Sequence, residues 1–353
     1  MIRRHLATML VATSLGLAVA KVEANDTLVR AVGGGIVPVK SSDIRMLKER
    51  LELSPRRVKV DYVFLNEAET PASETLAFPM PPYPAYFGIS GSDTVQPLED
   101  FATWVEGVQV ASRRERRALV GDRDVTTELR TYGLSEQEIF GGAGACRYVE
   151  APKNSFVIQC DYTAAQKRKL EALCEACSFG AGWTIQETLY WQQVFPARQP
   201  LRVTHEYAAK AGAHQLSGIR RPEVRQAIAA DDELAQHACL DESLLAAAAR
   251  IAMKGVDKDD DPNKHGSIDI DIRSVEYVLG TGRNWKGPIV DFELVITKER
   301  PEQLISLCFP GKAVRNGPRQ ISFKHRDFVP QDSLLVYFID VGRDFSKPAL
   351  APR

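Results

Sequence analysis

The sequence lacks the features that mark membrane-spanning and nucleic-acid-binding proteins. Beyond the N-terminus no apolar run approaches about 18 residues, the length that a membrane-spanning helix needs, and the formal net charge at pH 7 is only -1. The basic residues cluster at Ser112–Arg117 (SRRERR), which we interpret as a solvated turn or helix face. We therefore predict no membrane span in the mature chain and no nucleic-acid partner.

Motifs of common hydrolases are missing as well. Neither G-x-S-x-G nor H-E-x-x-H occurs, and these patterns place a serine nucleophile or a zinc ion in many enzymes. Distant residues can still assemble a catalytic triad, so hydrolysis is not excluded. The histidines beyond the N-terminus are scattered singly, at His205, His214, His237, His265 and His325.

Two partial motifs fail at a decisive position. Gly282 and Gly287 have the spacing of a phosphate-binding loop, but Pro288 stands where that loop carries its lysine. Asp257–Asp261 begins like a calcium-binding loop, but Pro262 stands where the turn glycine belongs. The sequence therefore predicts no cofactor and no metal site.

The N-terminus has the pattern of a secretory signal peptide. Arg3 and Arg4 precede an uncharged apolar run, Leu6–Ala20, and small residues suited to cleavage end at Ala20 and at Ala24. We expect a Sec-dependent leader, cleaved after Ala20 or Ala24, and a periplasmic or secreted protein. The remaining chain is long enough for two ordinary domains.

Alternating apolar and polar residues indicate β-strands through much of the chain. A clear example follows the turn at Thr281–Pro288, where Val290–Thr297 alternates with a period of two. Pro288 helps to fix the shape of the turn, and Trp285 is large enough to cover one end of a sandwich core. Asn284 and Trp285 are candidate binding residues, although a tryptophan in a strand is usually a core residue.

A proline-rich segment supplies two further candidates. Residues 81–88 (PPYPAYFG) combine three prolines with three aromatic residues. Such a loop could present Tyr83 and Tyr86 to a ligand. In the alternative interpretation, the rings simply pack over the edge of a sheet.

Shorter patterns predict further strands. Val58–Phe64 and Thr75–Met80 have the pattern of an antiparallel hairpin, and Phe101–Val110 has that of two short strands about a turn. A later alternating segment slips in phase between Ile272 and Val275, as a β-bulge or bend would require.

Two helices have recognisable starts. Thr163 and Gln166 form a capping-box pattern, and the helix that follows would place Cys174 and Cys177 on one inward stripe. Asp241 is a candidate cap for a second helix.

Two sets of strands repeat at low similarity. Tyr62 and Tyr277 occupy corresponding strands, and Phe195 and Phe328 each precede a proline and a further strand. We therefore predict a mainly β protein with helical insertions, built from two related β-sandwich units. The expected division of the chain is a signal peptide at 1–24, an N-terminal β-sandwich at 25–212 with an α/β insertion at about 97–182, a C-terminal β-sandwich preceded by helices at 213–345, and a tail at 346–353.

Several segments, in this order, resemble the bacterial domain-of-unknown-function family 4424. They include VKVDYVFLN, FATWVEGVQV, LYWQQVFPARQPLRVTHEY, CLDESL, YVLGTGRNWKGPIVDFELVI, SLCFPG and FVPQDSLLVYF, and the TGxNWxGP block is the most specific. The resemblance implies an exported bacterial protein with no assigned activity. The first half also resembles the N-terminal sandwich domain of inter-alpha-trypsin inhibitor heavy chains, which would imply an interaction module.

The cysteines are interpreted in the light of this resemblance. All six lie beyond the leader, and an even number in an exported chain predicts disulfides. The family's two matching cysteines fall on Cys239 and Cys308, and we expect these two to pair. For the others, disulfides of unknown pairing are favoured over a zinc site or a redox pair; these others are Cys146, Cys160, Cys174 and Cys177.

Three functional hypotheses follow. The first is an exported, non-catalytic binding or structural protein of the bacterial envelope, whose partner is an unknown protein or envelope component. The second is a periplasmic hydrolase acting on a glycan or peptide, which requires a pocket that joins a nucleophile or water to a base. The third is a metal-binding or redox protein that uses the four additional cysteines. We favour the first, because nothing in the sequence pairs a nucleophile with a base.

Overall fold

The structure is a computed structural model that describes residues 27–32, 35–80, 82–85, 100–140, 146–151, 155–179, 182–209, 211–231, 234–253, 270–330 and 333–341. The predicted leader and its cleavage sites, the predicted tail and the acidic segment Asp257–Asp261 lie outside these residues. Among the described residues, no helix combines the length and the apolar character that crossing a membrane requires.

The described residues form 21 strands and five α-helices. The strands are β1 Thr27–Val32, β2 Gly35–Val39, β3 Ile44–Leu53, β4 Arg57–Asn66, β5 Ala72–Pro79, β6 Tyr83–Pro84, β7 Ala102–Val105, β8 Val108–Val110, β9 Arg113–Val120, β10 Arg123–Asp124, β11 Cys146–Ala151, β12 Ser155–Cys160, β13 Thr184–Phe195, β14 Pro200–Ala208, β15 Ala211–Leu216, β16 Ile270–Val278, β17 Ile289–Thr297, β18 Leu304–Leu307, β19 Val314–Arg315, β20 Gln320–Phe328 and β21 Ser333–Val341. The helices are α1 Thr126–Thr131, α2 Glu136–Phe140, α3 Ala164–Leu173, α4 Pro222–Ala229 and α5 Glu242–Met253. Short 3-10 turns occur at Cys177–Phe179, Gln236–Ala238 and Gly280–Asn284.

Eight strands form the central sheet, in the order β19-β20-β17-β3-β4-β14-β7-β8. Its neighbouring strands are antiparallel except for β3 and β17, which run parallel. Alternate residues of β4 from Val58 to Asn66 are buried and those between them are partly exposed, as expected for a sheet with one face on the core. The opposite face carries ion pairs between strands, such as that of Glu293 with Arg50 and Lys324.

Two shorter sheets cover the inner face of the central sheet. The N-terminal sheet has the order β10-β9-β13-β5-β1-β2, with β6 beside β13, and the C-terminal sheet has the order β15-β16-β21-β18. Tyr62 and Phe64 share one face of β4, and they contact Tyr277 of the C-terminal sheet and Phe195 of the N-terminal sheet. Both shorter sheets therefore pack on the same face, and the prediction of a mainly β fold with helical insertions is confirmed.

One connection pattern occurs twice. In the first set, β4 leads to β5 in the facing sheet, β5 pairs with β13, and β14 pairs with β4. In the second set, β16 leads to β17, β17 pairs with β20, and β21 pairs with β16. Tyr62 and Tyr277 occupy corresponding strands, and their hydroxyl oxygens lie 3.0 Å apart. The central sheet thus takes strands from both sets. The division of the chain into two units between 212 and 213 stays a prediction.

The predicted hairpin of Val58–Phe64 with Thr75–Met80 is wrong. These segments belong to β4 and β5, which lie in facing sheets and do not pair with each other. Asn66 fixes the corner between them, because its Nδ2 donates to the carbonyl oxygens of Thr70 at 2.9 Å and Phe195 at 3.2 Å. The connection thus crosses from one sheet to the other instead of folding back along β4.

The chain between β9 and β13 builds a second core, which we call the insertion core. Helices α1, α2 and α3 contribute to it, and Leu129, Leu170 and Trp183 are among its buried residues. The predicted capping box is confirmed, since Thr163 Oγ1 accepts from the backbone N of Gln166 and Gln166 Oε1 accepts from the backbone N of Thr163. The insertion core lies at the end of the N-terminal sheet that carries β6, β9 and the start of β13.

A third core lies between helices α4 and α5 and the C-terminal sheet. Asp241 caps α5 as predicted, because its Oδ1 accepts a backbone N–H of the first turn at 2.8 Å. Ile270 and Ile272 of β16 pack in this third core, whereas Val275 and Tyr277 face the sandwich core. Of the two predicted alternatives, a bulge or a bend, the bulge is wrong. β16 and β21 pair without a register shift. The change of phase arises because the two isoleucines lie on one face of the strand, whereas Val275 and Tyr277 lie on the other.

Candidate functional site

The turn Thr281–Pro288, which we call the corner segment, closes one end of the sandwich core. Trp285 is 1% exposed, and its ring centre lies 4.5 Å from that of Phe64 and 6.2 Å from that of Phe195. The large apolar indole therefore has the packing role that its size suggests. A ligand-binding role for Trp285 stays a prediction, and this burial gives it no support.

Asn284 joins the corner segment to the N-terminal strands. Its carbonyl oxygen accepts from the backbone N of Ser41 at 2.7 Å, and its Nδ2 donates to Thr27 Oγ1 at 3.0 Å. Next to it, Lys286 Nζ lies 2.7 Å from a carboxylate oxygen of Glu67, in the corresponding corner of the first set of strands. The most specific block of the family resemblance is thus a structural joint, and a binding role for Asn284 stays untested.

The six cysteines form three disulfides, and none of them is a free thiol. Cys239 is bonded to Cys308, the pair that the family resemblance implied. The remaining pairing, left open by the sequence, joins Cys146 to Cys160 and Cys174 to Cys177. The four additional sulfurs are therefore divided between two disulfides and offer no thiolate to a zinc ion.

The prediction that Cys174 and Cys177 lie on a helical stripe is wrong. Helix α3 ends at Leu173, and Cys174 has an extended backbone with φ -161° and ψ 155°. The chain then approaches Gly182, which has a φ of +115°; a Cβ at this position would lie 2.5 Å from Cys174 Sγ. Glycine is required there because a side chain would be strained and would collide with the disulfide.

A hydroxyl contacts a histidine in the sandwich core. Thr103 Oγ1 lies 3.0 Å from His205 Nδ1. Both residues are at most 1% exposed, and the imidazole is surrounded by the rings of Tyr62, Phe78 and Trp191. The hydroxyl and the imidazole contact each other inside a ring of aromatic side chains, so we assign the pair a structural role and not that of a nucleophile with its base.

The segment SRRERR is a strand, and the prediction of a solvated turn or helix face is wrong. All of it except Ser112 lies in β9, which pairs with β13. Side chains alternate across a strand, so Arg114 and Arg116 share the face of the sheet that carries Glu187, whereas Arg113 lies on the opposite face. The sequence alone did not show that the carboxylate of Glu187 would stand opposite Arg116.

Glu187 is a buried carboxylate between two cores. Its neighbours along the same face of β13 are Ile185 in the insertion core and Leu189 in the sandwich core. The Glu187 side chain is only 1% exposed, and its Oε1 lies 2.8 Å from Nε of Arg114, whose side chain is 34% exposed. The geometry of this ion pair is not that of a hydrogen bond, and neither carboxylate oxygen accepts one in the described part of the protein.

Arg116 and Tyr83 complete this group of polar residues. Arg116 stands directly opposite Glu187 in the strand pair, and its guanidinium carbon lies 4.8 Å from the centre of the Phe140 ring. Burial, together with the charge of Glu187, raises the pKa of Tyr83 to about 12, against opposing influences of Arg116 and Arg114. The phenol therefore lies within electrostatic range of all three charged groups and stays neutral at physiological pH.

We call Tyr83, Arg114, Arg116 and Glu187 the Glu187 cluster. Tyr83 is among the candidates predicted from the sequence, and Tyr86, predicted with it, lies outside the described residues. The charged members were not predicted, because a carboxylate becomes unusual only when its burial and its neighbours across the sheet are known. One signal was present, since Glu187 interrupts the inward alternation of β13 between Ile185 and Leu189.

The fold and this cluster define a class: a disulfide-linked, mainly β sandwich protein with a charged group of residues between the sandwich and an inserted core. The chain belongs to the family described as Domain of unknown function (DUF4424), whose model matches residues 24–337. The resemblance seen in the sequence motifs is thereby confirmed, and the one to inter-alpha-trypsin inhibitor heavy chains stays a prediction. No curated protein matches the sequence.

Solved structures that are similar to the chain share little sequence with it. A "putative nutrient binding protein" from Legionella pneumophila has a TM-score of 0.41 and 14% identity over 90% of this chain and 71% of its own. An M1 zinc metallopeptidase from Deinococcus radiodurans has a TM-score of 0.22 and 10% identity over 85% of this chain and 43% of its own. The chain thus spans less than half the length of that enzyme, and similarity this low carries no conclusion about function.

Proposed function

We propose that the protein is exported to the bacterial envelope and acts there by binding, without catalysis. The observation that carries the binding role is the Glu187 cluster, in which a buried carboxylate accepts no hydrogen bond from the described residues. Buried polar groups nearly always make hydrogen bonds, and one that makes none costs about 1–3 kcal/mol. A bound molecule that supplies the missing donors would remove this cost.

Export is supported by the chemistry of the cysteines. Disulfides persist in oxidising compartments such as the periplasm and are rare in the cytosol, and all six cysteines are bonded in this way. The predicted leader agrees with the same location. An envelope protein of this kind needs stability outside the cytosol, and its three disulfides contribute to it.

Fractionation of bacterial cells that express the full chain tests the location. We expect the protein in the periplasm or the medium, with its leader removed after Ala20 or Ala24 and three disulfides detected by mass spectrometry after alkylation. Replacement of both Arg3 and Arg4 by glutamate is the matched control, because it removes the positive charge that a leader requires. A cytosolic protein with six free thiols would contradict export.

Photo-crosslinking in intact cells tests the binding role. A crosslinking amino acid in place of Arg114, beside the Glu187 cluster, should capture an envelope molecule, whereas the same amino acid in place of Arg113, on the opposite face of β9, should not. The purified protein should release no product from peptidoglycan or from a peptide library. Steady release of product would favour the periplasmic hydrolase and refute the proposal.

A further inference from the structure

We infer that the Glu187 cluster binds a free α-amino acid with an apolar side chain. In this arrangement the ligand's carboxylate contacts Arg116, and its ammonium group donates to Glu187. The inference rests on the proposed binding function and adds the chemical class of the ligand. Sites for small molecules occur preferentially between structural units, and Glu187 stands between the sandwich core and the insertion core.

Arg116 is suited to a carboxylate. A guanidinium is planar, and its N–H groups point outward in that plane, where they match the two oxygens of a carboxylate. The Phe140 ring, 4.8 Å from the guanidinium carbon, covers the face of the group and leaves the N–H edges for a ligand.

Glu187 is suited to an ammonium group. An ionised carboxylate can only accept hydrogen bonds, and the Glu187 oxygens accept none from the described residues although the side chain is 1% exposed. An ammonium group carries three donors in a small volume. It would therefore satisfy acceptors that the ion pair with Arg114 leaves without a hydrogen bond.

The positions of the two residues in the strand pair favour an α-amino acid over longer zwitterions. Glu187 and Arg116 are direct partners in the antiparallel pair, and such partners have Cβ atoms about 4.5–5.5 Å apart. The ammonium and carboxylate groups of an α-amino acid are attached to one carbon atom, so they suit two side chains that start from directly opposed positions on one face of the sheet. Ile185 and Leu189, on either side of Glu187, favour an apolar ligand side chain.

Calorimetric titration of the purified mature protein tests this inference. The probe is an equimolar mixture of L-alanine, L-valine, L-leucine, L-isoleucine, L-methionine and L-phenylalanine, and the comparison probes are the same mixture as N-acetyl derivatives and as amides. We expect saturable heat from the free amino acids alone. Glu187→Gln and Arg116→Gln should each weaken binding at least about tenfold, because each removes a charge-assisted contact.

Arg113→Gln is the matched control, since this arginine lies on the opposite face of the same strand and should leave binding unchanged. Absence of heat from the free amino acids, or equal weakening by Arg113→Gln, would overturn the inference. Equal heat from the N-acetyl derivatives would also overturn it, because the cluster would then be a site for acids alone. Failure here, with capture still observed from position 114 in intact cells, would refute the ligand class and leave the binding function standing.

Discussion

Buried polar groups in the sandwich core differ from those beside the insertion. In the core, the hydroxyls of Tyr62 and Tyr277 lie 3.0 Å apart, and Thr103 contacts His205 at the same distance. Between the cores, Glu187 is equally buried, but its oxygens accept no hydrogen bond from the described residues. The first arrangement satisfies its groups internally, whereas the second has hydrogen-bonding capacity left over.

This difference separates residues that hold the fold from residues that are candidates for binding. A buried group that makes a hydrogen bond contributes about 1 kcal/mol to stability, whereas a buried group that makes none costs about 1–3 kcal/mol. The core contacts are therefore explained by the fold alone. The Glu187 cluster is not, because its carboxylate keeps acceptors that no described residue uses.

Replacement of Trp285 should have the largest effect, because it removes the ring that closes the sandwich core. Trp285→Ala should lower the free energy of unfolding by about 4 kcal/mol, within the range of large-to-small core substitutions, as measured by urea denaturation. Trp104→Ala is the control, since Trp104 is partly exposed near a sheet edge and its loss should cost less than half as much. If Trp285→Ala lowered the free energy of unfolding no more than Trp104→Ala does, the structural role assigned to Trp285 would be contradicted.

Removal of the Cys239–Cys308 disulfide should have the next largest effect. This bond spans 69 residues, and bridges of this kind typically stabilise by about 2–4 kcal/mol. The double variant Cys239→Ser and Cys308→Ser should lose about 3 kcal/mol in the same assay. The matched pair Cys174→Ser and Cys177→Ser should lose less than half of that, because it opens a link across only 3 positions.

The tyrosine contact should have a smaller effect. A double-mutant cycle with Tyr62→Phe and Tyr277→Phe should give a coupling energy of about 1 kcal/mol, as expected for a neutral hydrogen bond. A cycle that combines Tyr62→Phe with Tyr190→Phe should show no coupling, because Tyr190 lies on β13 and does not share this contact. A coupling near zero in the first cycle would show that the two sets of strands are not linked through these hydroxyls.

The sequence predicts more of the fold than of the candidate site, and the reason is physical. Period-two patterns reveal which strands bury one face, and the repeat of Tyr62 and Tyr277 indicated two sets of strands with one connection pattern. Such patterns do not tell which sheet a strand enters. For this reason β4 and β5 were predicted to pair although the corner at Asn66 carries the chain between facing sheets.

The charged members of the candidate site could not be predicted, because their meaning depends on partners that are distant in the sequence. Arg114 and Arg116 have the composition of a solvated segment until β9 is placed beside β13. Glu187 has the composition of an ordinary surface residue until its burial is known. Tyr83 was predicted because aromatic residues between prolines are unusual by themselves.

Replacement of Glu187 should have the smallest effect on stability, although it bears most directly on the difference between the two regions. Glu187→Gln, measured without added ligand, should change the free energy of unfolding by less than about 1 kcal/mol. The variant loses the ion pair with Arg114, but it also removes a buried charge whose desolvation opposes that pair. Arg114 is 34% exposed, so water can solvate the guanidinium that remains.

Arg113→Gln serves as the surface control for this measurement and should also change stability by less than about 1 kcal/mol. A loss of more than 2 kcal/mol in Glu187→Gln alone would contradict the contrast between the two regions. It would mean that the carboxylate holds the insertion against the sandwich, as Tyr62 and Tyr277 join the two sets of strands. The unused acceptors of Glu187 would then need a structural explanation and would lend no support to a ligand.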